Sequence, residues 1–201
     1  MLKVGLTGGL ACGKSFVGEA LAALGCHVLE ADRLGHEVMA PGGEAYTPVV
    51  QAFGAGIVTQ SGEIDRRLLG ALVFDHPERL ALLNSLVHPP VVAREEAWLE
   101  QMAGEDPHGI AVVEAAILIE TGSYKRFDKL ILVTCDEARQ VERSMKRDGL
   151  TREAVRARLS RQMPLRQKRE FADFVVDTSG TKEDTLDRVR AVYETLRIME
   201  T

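Results

Sequence analysis

The sequence predicts an α/β protein: a parallel sheet whose first strand runs into a phosphate-binding loop, with a helical insertion and a basic helical segment added to it. Three observations point there. Residues 5–15 read GLTGGLACGKS, and Gly8, Gly13, Lys14 and Ser15 satisfy the spacing G-x-x-x-x-G-K-[ST]. Two later runs, Ile110 to Glu114 and Lys129 to Val133, are too continuously apolar for half-exposed strands and read as strands buried on both faces of a parallel sheet. Helical periodicity fills the intervals between them.

Taken in order, Leu2 to Leu6 is a short apolar strand. The helix after the loop places Phe16, Val17, Ala20, Leu21 and Leu24 on one face before Gly25 stops it. Cys26 to Glu30 reads as a second strand, and Ala31-Asp32-Arg33 begins another helix. From Leu34 to Gly104 the pattern turns helical, with stretches over Tyr46 to Phe53, Arg67 to Phe74, Pro77 to Val87 and Pro90 to Met102, broken by Pro41-Gly42-Gly43, Gly54-Ala55-Gly56 and Ser61-Gly62, and with His88-Pro89 read as a turn or cap. The buried runs at 110 and 129 resume the sheet. A helix then starts at Asp136 and ends at Arg147-Asp148-Gly149, with acids first and bases last, as the helix dipole prefers. Thr151 to Met163 is a further helix, Phe174 to Val176 a last strand, and Thr181-Lys182-Glu183-Asp184 caps a terminal helix running to Met199.

The loop chemistry follows from residue type. Glycines at 8, 9 and 13 let the backbone turn its N–H groups inward, and those amides with the positive end of the following helix cradle phosphate oxygens. Gly8, Gly9, Leu10, Ala11, Cys12, Gly13, Lys14, Ser15 and Phe16 are therefore the candidate nucleotide-binding residues. Lys14 would reach the β- and γ-phosphates of a bound ligand, and Ser15 is the candidate ligand of a Mg²⁺ ion shared with them. Asp32, at the carboxyl end of a strand, either begins a helix as a first-turn acid or accepts a proton from an acceptor hydroxyl. Cys12 has two readings as well: a small side chain tolerated in a tight loop, or a thiol whose pKa is lowered by Lys14 and a helix N-terminus.

Composition narrows the class. The 201 residues are 45% hydrophobic and 27% charged, and no apolar run nears the roughly 20 residues of a membrane span. No signal-peptide pattern opens the chain, so a cytoplasmic protein with no membrane partner is expected. Three cysteines without metal-ligand spacing are expected as reduced thiols. The net charge of −5 hides a basic stretch from Arg139 to Arg169 with eleven Lys or Arg and three acids. Beside a phosphate-binding loop this favours a polyphosphate ligand and no nucleic acid. A GTPase would need an Asn-Lys-x-Asp motif, whereas the one asparagine, Asn84, precedes Ser85. The loop itself is blind to the acceptor, and no motif encodes an oligomeric state.

Across nearly its whole length the chain resembles the dephospho-coenzyme A kinases, whose pattern looks like GLTGGIGSGK, Asp-Ala-Asp, Pro-Gly, Leu-Asp-Arg, His-Pro, Leu-Leu-Phe-Glu, Gln-x-x-Arg with Arg-Asp after it, and Ala-Asp. Here these are residues 5–14, Glu30-Ala31-Asp32, Pro41-Gly42, Ile64-Asp65-Arg66, His88-Pro89, Ile117-Leu118-Ile119-Glu120, Gln140 to Arg143, Arg147-Asp148 and Ala172-Asp173. Departures are Glu30 for Asp, Ala116 for the proline usual before Leu-Leu, Phe16 for Thr and Thr178 for the asparagine that lies against adenine. The resemblance implies a single P-loop NTPase domain with a five-stranded parallel sheet and helices on both faces. It places the core at 1–34 and 104–201, a helical acceptor-binding insertion at about 35–103 and a mobile helical lid at about 137–170. It further implies ATP-dependent phosphorylation of the ribose 3′-hydroxyl of dephospho-coenzyme A, with Asp32 as base and Arg143 clamping the transferring phosphates.

Overall fold

The computed structural model describes residues 1–73 and 76–200. Its sheet has five strands, β1 (Leu2–Gly8), β2 (His27–Glu30), β3 (Ile110–Glu114), β4 (Lys129–Thr134) and β5 (Phe174–Asp177), in the order β2-β3-β1-β4-β5. Every neighbouring pair is parallel, and the register aligns Leu6 of β1 with Glu114 of β3 and Ile131 of β4. All five strands therefore end at one edge, with β1 and its loop in the middle. That is where open parallel sheets bind ligands, beside the strand at which the order reverses.

The chain divides into two compact units, Met1–Glu30 with Leu99–Thr201, and Ala31–Trp98. In the first, α1 (Lys14–Ala23) and α9 (Lys182–Glu200) pack on the sheet. Val17 and Leu21 from α1, and Val189 and Leu196 from α9, join Val4, Leu6, Ile131 and Val133 in the core, and each of these eight is at most 1% exposed. Each such aliphatic burial contributes about 1.5–3 kcal/mol. The start of α9 is a reciprocal cap: Thr181 Oγ1 accepts from Asp184 N at 3.1 Å and Asp184 Oδ2 from Thr181 N at 2.9 Å. Asp173 fixes the start of β4, accepting from Leu130 N at 2.8 Å and Lys129 Nζ at 3.3 Å. Between β4 and β5 lie α6 (Glu137–Asp148), α7 (Arg152–Leu159) and α8 (Leu165–Lys168).

The second unit holds α2 (Ala31–Val38), α3 (Tyr46–Phe53), α4 (Arg66–Val73) and most of α5 (Pro77–Glu105), around Val38, Val49, Ile57, Leu69, Val73 and Val87. Asp65 is an N-cap, its Oδ1 accepting from Arg67 N at 2.9 Å and Leu68 N at 3.0 Å. Arg94 grips Glu44 with two bonds, Nε to Oε1 at 3.0 Å and Nη2 to Oε2 at 2.8 Å.

Two expectations need correction, and one helix end, Phe74, lies outside the described residues. The helices expected at Pro77 to Val87 and Pro90 to Met102 are one helix of 29 residues that runs through Pro89 and Pro90. Proline removes the N–H that would bond four residues back. Packing outweighs those lost rungs here, because Leu83, Leu86, Val87 and Val91 all join the second core across the proline pair. The helix expected to reach Met163 stops at Leu159, where Ser160 turns its hydroxyl onto Ala157 O at 3.0 Å. That early stop frees Gln162 to reach the phosphate-binding loop.

Candidate active site

Strand β1 ends at Gly8 and α1 starts at Lys14, so the sequence motif lies between them as a loop at the sheet's carboxyl edge. Gly13, the residue before α1, has φ +81°, a left-handed conformation in which a side chain would be strained. Ala11 adopts φ +54° and is the one non-glycine residue with positive φ among those described. The family pattern the loop resembles has glycine at that place.

Charged groups hold the helix end of the loop. Lys14 Nζ lies 2.8 Å from Glu114 Oε1, and Ser15 Oγ donates to the same oxygen at 2.8 Å. Glu114 is the last residue of β3 and only 3% exposed, so its carboxylate is secured by these donors rather than by bulk water. Gly18 leaves it room: a Cβ there would lie 2.6 Å from Glu114 Oε2. Sequence reasoning missed Glu114 as a site residue. The available signal was an acid closing an otherwise apolar parallel strand at the edge where ligands bind.

A hydroxyl and a carboxylate that converge beside a phosphate cradle fit Mg²⁺, which takes oxygen donors from one or two protein groups and the remainder from phosphates and water. Among the described residues no cluster of three or more His, Cys, Asp or Glu could hold a metal ion by itself. Ser15 and Glu114 would thus serve a metal that arrives with its nucleotide.

Neutral side chains from the segment between β4 and β5 hold the other end. Leu10 is bracketed: Gln162 Oε1 accepts from its N–H at 3.1 Å and Gln140 Nε2 donates to its carbonyl at 2.8 Å. The Thr178 hydroxyl donates to Cys12 O at 2.6 Å and accepts from Arg143 Nη1 at 3.0 Å, while Arg143 Nη2 donates to Thr178 O at 2.8 Å. Arg143 therefore stands beside the loop, its Nη1 lying 3.7 Å from where a Gly13 Cβ would be. Phe16, half-buried, carries Lys182 Nζ 5.6 Å from its ring centre. Lys168, fully buried, meets Glu120 Oε1 at 2.7 Å in an ion pair outside hydrogen-bond alignment.

The three cysteines are free thiols. Of the two readings of Cys12, the thiol of lowered pKa is overturned. Its Sγ lies 3.3 Å from Cys135 Sγ, and the hydrogen bond to that sulfur, with complete burial, pushes the Cys12 thiol well up. Lys14 is engaged by Glu114 instead. Loop, Lys14, Ser15, Glu114 and Arg143 thus gather in the first unit. Asp32 belongs to the second, as an exposed first-turn acid of α2, two residues past the carboxyl end of β2.

Comparison with known proteins gives one family. The family model described as dephospho-CoA kinase matches residues 2–184. The dephospho-CoA kinase of Aquifex aeolicus is 39% identical over 196 residues, 98% of each chain, and that of Geobacillus kaustophilus 39% identical over 193 residues, 96% of each. Among solved structures, a Thermus thermophilus protein superposes with TM-score 0.83 at 34% identity over 97% of both chains. Dephospho-CoA kinase from Campylobacter jejuni gives 0.73 at 25% identity, covering 99% of this chain and 98% of its own. A shikimate kinase from Bacteroides thetaiotaomicron, at 14% identity and TM-score 0.53, shares the fold alone.

Proposed function

The chain belongs to the dephospho-CoA kinase family and transfers a phosphoryl group from ATP to dephospho-coenzyme A, and from that premise we propose how its residues divide the work. The loop amides from Gly8 to Phe16 hold the phosphates of ATP, and Lys14 compensates the charge that builds on the β–γ bridge as the bond breaks. Ser15 and the Glu114 carboxylate would hold Mg²⁺, which would supply further neutralisation of the phosphate oxygens. Asp32 accepts the proton of the ribose 3′-hydroxyl as its oxygen attacks the γ-phosphorus. Arg143, whose guanidinium stays charged at any working pH, steadies the transferring group from the lid.

The convergence of Lys14 and Ser15 on one buried carboxylate beside the loop supports this assignment most directly. The basic segment 137–170 acts as a lid whose charges repel one another until anions arrive. It serves phosphates, with no part for nucleic acid. Among the described residues no helix is long and apolar enough to cross a membrane.

An ADP-release assay over dephospho-coenzyme A, adenosine and nucleoside monophosphates tests the acceptor. Turnover is expected with dephospho-coenzyme A; turnover only with another acceptor would reject it. In the same assay Asp32→Asn should lower kcat by roughly 10²–10⁴-fold with the KM for ATP nearly constant, the signature of a lost proton acceptor. A wild-type kcat would remove Asp32 from the chemistry.

A further inference from the structure

Two thiols meet at the phosphate-binding loop. Cys12, fully buried, lies two residues before Lys14, and Cys135, 7% exposed, is the first residue beyond β4. Their sulfurs are 3.3 Å apart. A disulfide needs about 2.05 Å, so side-chain rotation and a small loop movement close the gap. The loop pattern that this sequence resembles carries serine where Cys12 stands, so the pair arises from this chain's own residues.

The sulfurs differ in access and in character. Cys135 lines a cavity of about 570 Å³ together with Gly9, Gln140, Arg156 and Leu165, which brings solvent to this residue. Cys12 stands behind it. The Cys12 S–H and the Arg143 guanidinium favour Cys135 as thiolate and hold its pKa below the ordinary thiol value, against the opposing effects of burial and of the Asp177 carboxylate. Cys26 has no such company. Burial alone pushes its thiol up to about 12.

We propose that Cys12 and Cys135 form an oxidation site at which small hydroperoxides make a disulfide that ties the phosphate-binding loop to the end of β4 and weakens ATP binding. The Cys135 thiolate attacks the terminal peroxide oxygen; the O–O bond breaks, and the leaving oxygen takes a proton to depart as water or an alcohol. The resulting Cys135 sulfenic acid is attacked by Cys12 sulfur. The S–S bond forms, the S–O bond breaks, and the departing hydroxide combines with the Cys12 proton as water. Two electrons pass from the thiols to the peroxide. Cys135 is anchored by the sheet, so the contraction falls on the loop between Gly9 and Gly13 and misaims its amides.

The test is to treat the whole protein with hydrogen peroxide, block remaining thiols with N-ethylmaleimide under denaturing conditions, and map unreduced peptides by mass. A Cys12–Cys135 linked peptide with Cys26 alkylated is expected. ATP affinity should fall roughly tenfold in proportion to linkage, as for the loss of one hydrogen bond to a charged oxygen, and return with dithiothreitol. Cys135→Ser should keep its own ATP affinity through the same treatment. The proposal is overturned if all three wild-type thiols remain alkylatable, if linkage leaves ATP affinity unchanged, or if Cys135→Ser loses affinity equally.

Discussion

The two ends of the phosphate-binding loop are held by different kinds of group. At the helix end a buried carboxylate, Glu114, gathers an ammonium and a hydroxyl. Nearer the strand end, neutral side-chain amides from Gln140 and Gln162 take the backbone carbonyl and N–H of Leu10. On the proposed assignment, charge sits where phosphate and metal charge are met, and neutral hydrogen bonds serve where only the shape of the loop matters. A charge acts strongly on a developing charge in a site shielded from water, whereas a neutral bond contributes about 1 kcal/mol net.

If this division is right, substitutions at the two ends differ in size and in kind. Lys14→Ala should have the largest effect, a fall in kcat of about 10³-fold or more in steady-state assays. A fall below tenfold would deny the charged end its role. Gln162→Ala at the neutral end should mainly raise the KM for ATP, by about tenfold or less, with kcat close to wild type. An equal loss in kcat would mean that Gln162 acts in the transition state and that the two ends do not differ in kind. Smallest is Ala11→Gly, which removes a left-handed strain of about 1–2 kcal/mol but adds unfolded-state freedom that opposes about 0.4–1 kcal/mol of it. Chemical denaturation should show a gain of about 1 kcal/mol or less; a clear loss would show that the Ala11 methyl packs more than it strains.

How much of this was legible in the sequence depended on whether the signal was local. Strands β3 and β4 were readable because burial on both faces leaves an unbroken apolar run, and the α9 cap because Thr181 and Asp184 sit at the spacing their reciprocal bonds require. Lys14 and Ser15 were readable because the motif is contiguous. Glu114 was not, because its partners lie about a hundred residues away and only the β1–β3 register brings them together. The passage of α5 through Pro89 and Pro90 was hidden for a related reason: a local rule against proline is overridden by a core that forms only when distant helices meet. The nature of Cys12 likewise turned on Cys135, 123 residues away.

The most direct measurement of the central claim titrates kcat against free Mg²⁺ for wild type, Glu114→Gln and Gln162→Ala at saturating ATP. Glutamine keeps the shape of Glu114 and removes its charge, so the Mg²⁺ midpoint should rise by about 10- to 100-fold in that variant alone, while Gln162→Ala keeps the wild-type midpoint. An unchanged midpoint in Glu114→Gln, or an equal shift in both variants, would contradict the assignment of charge to one end of the loop and shape to the other.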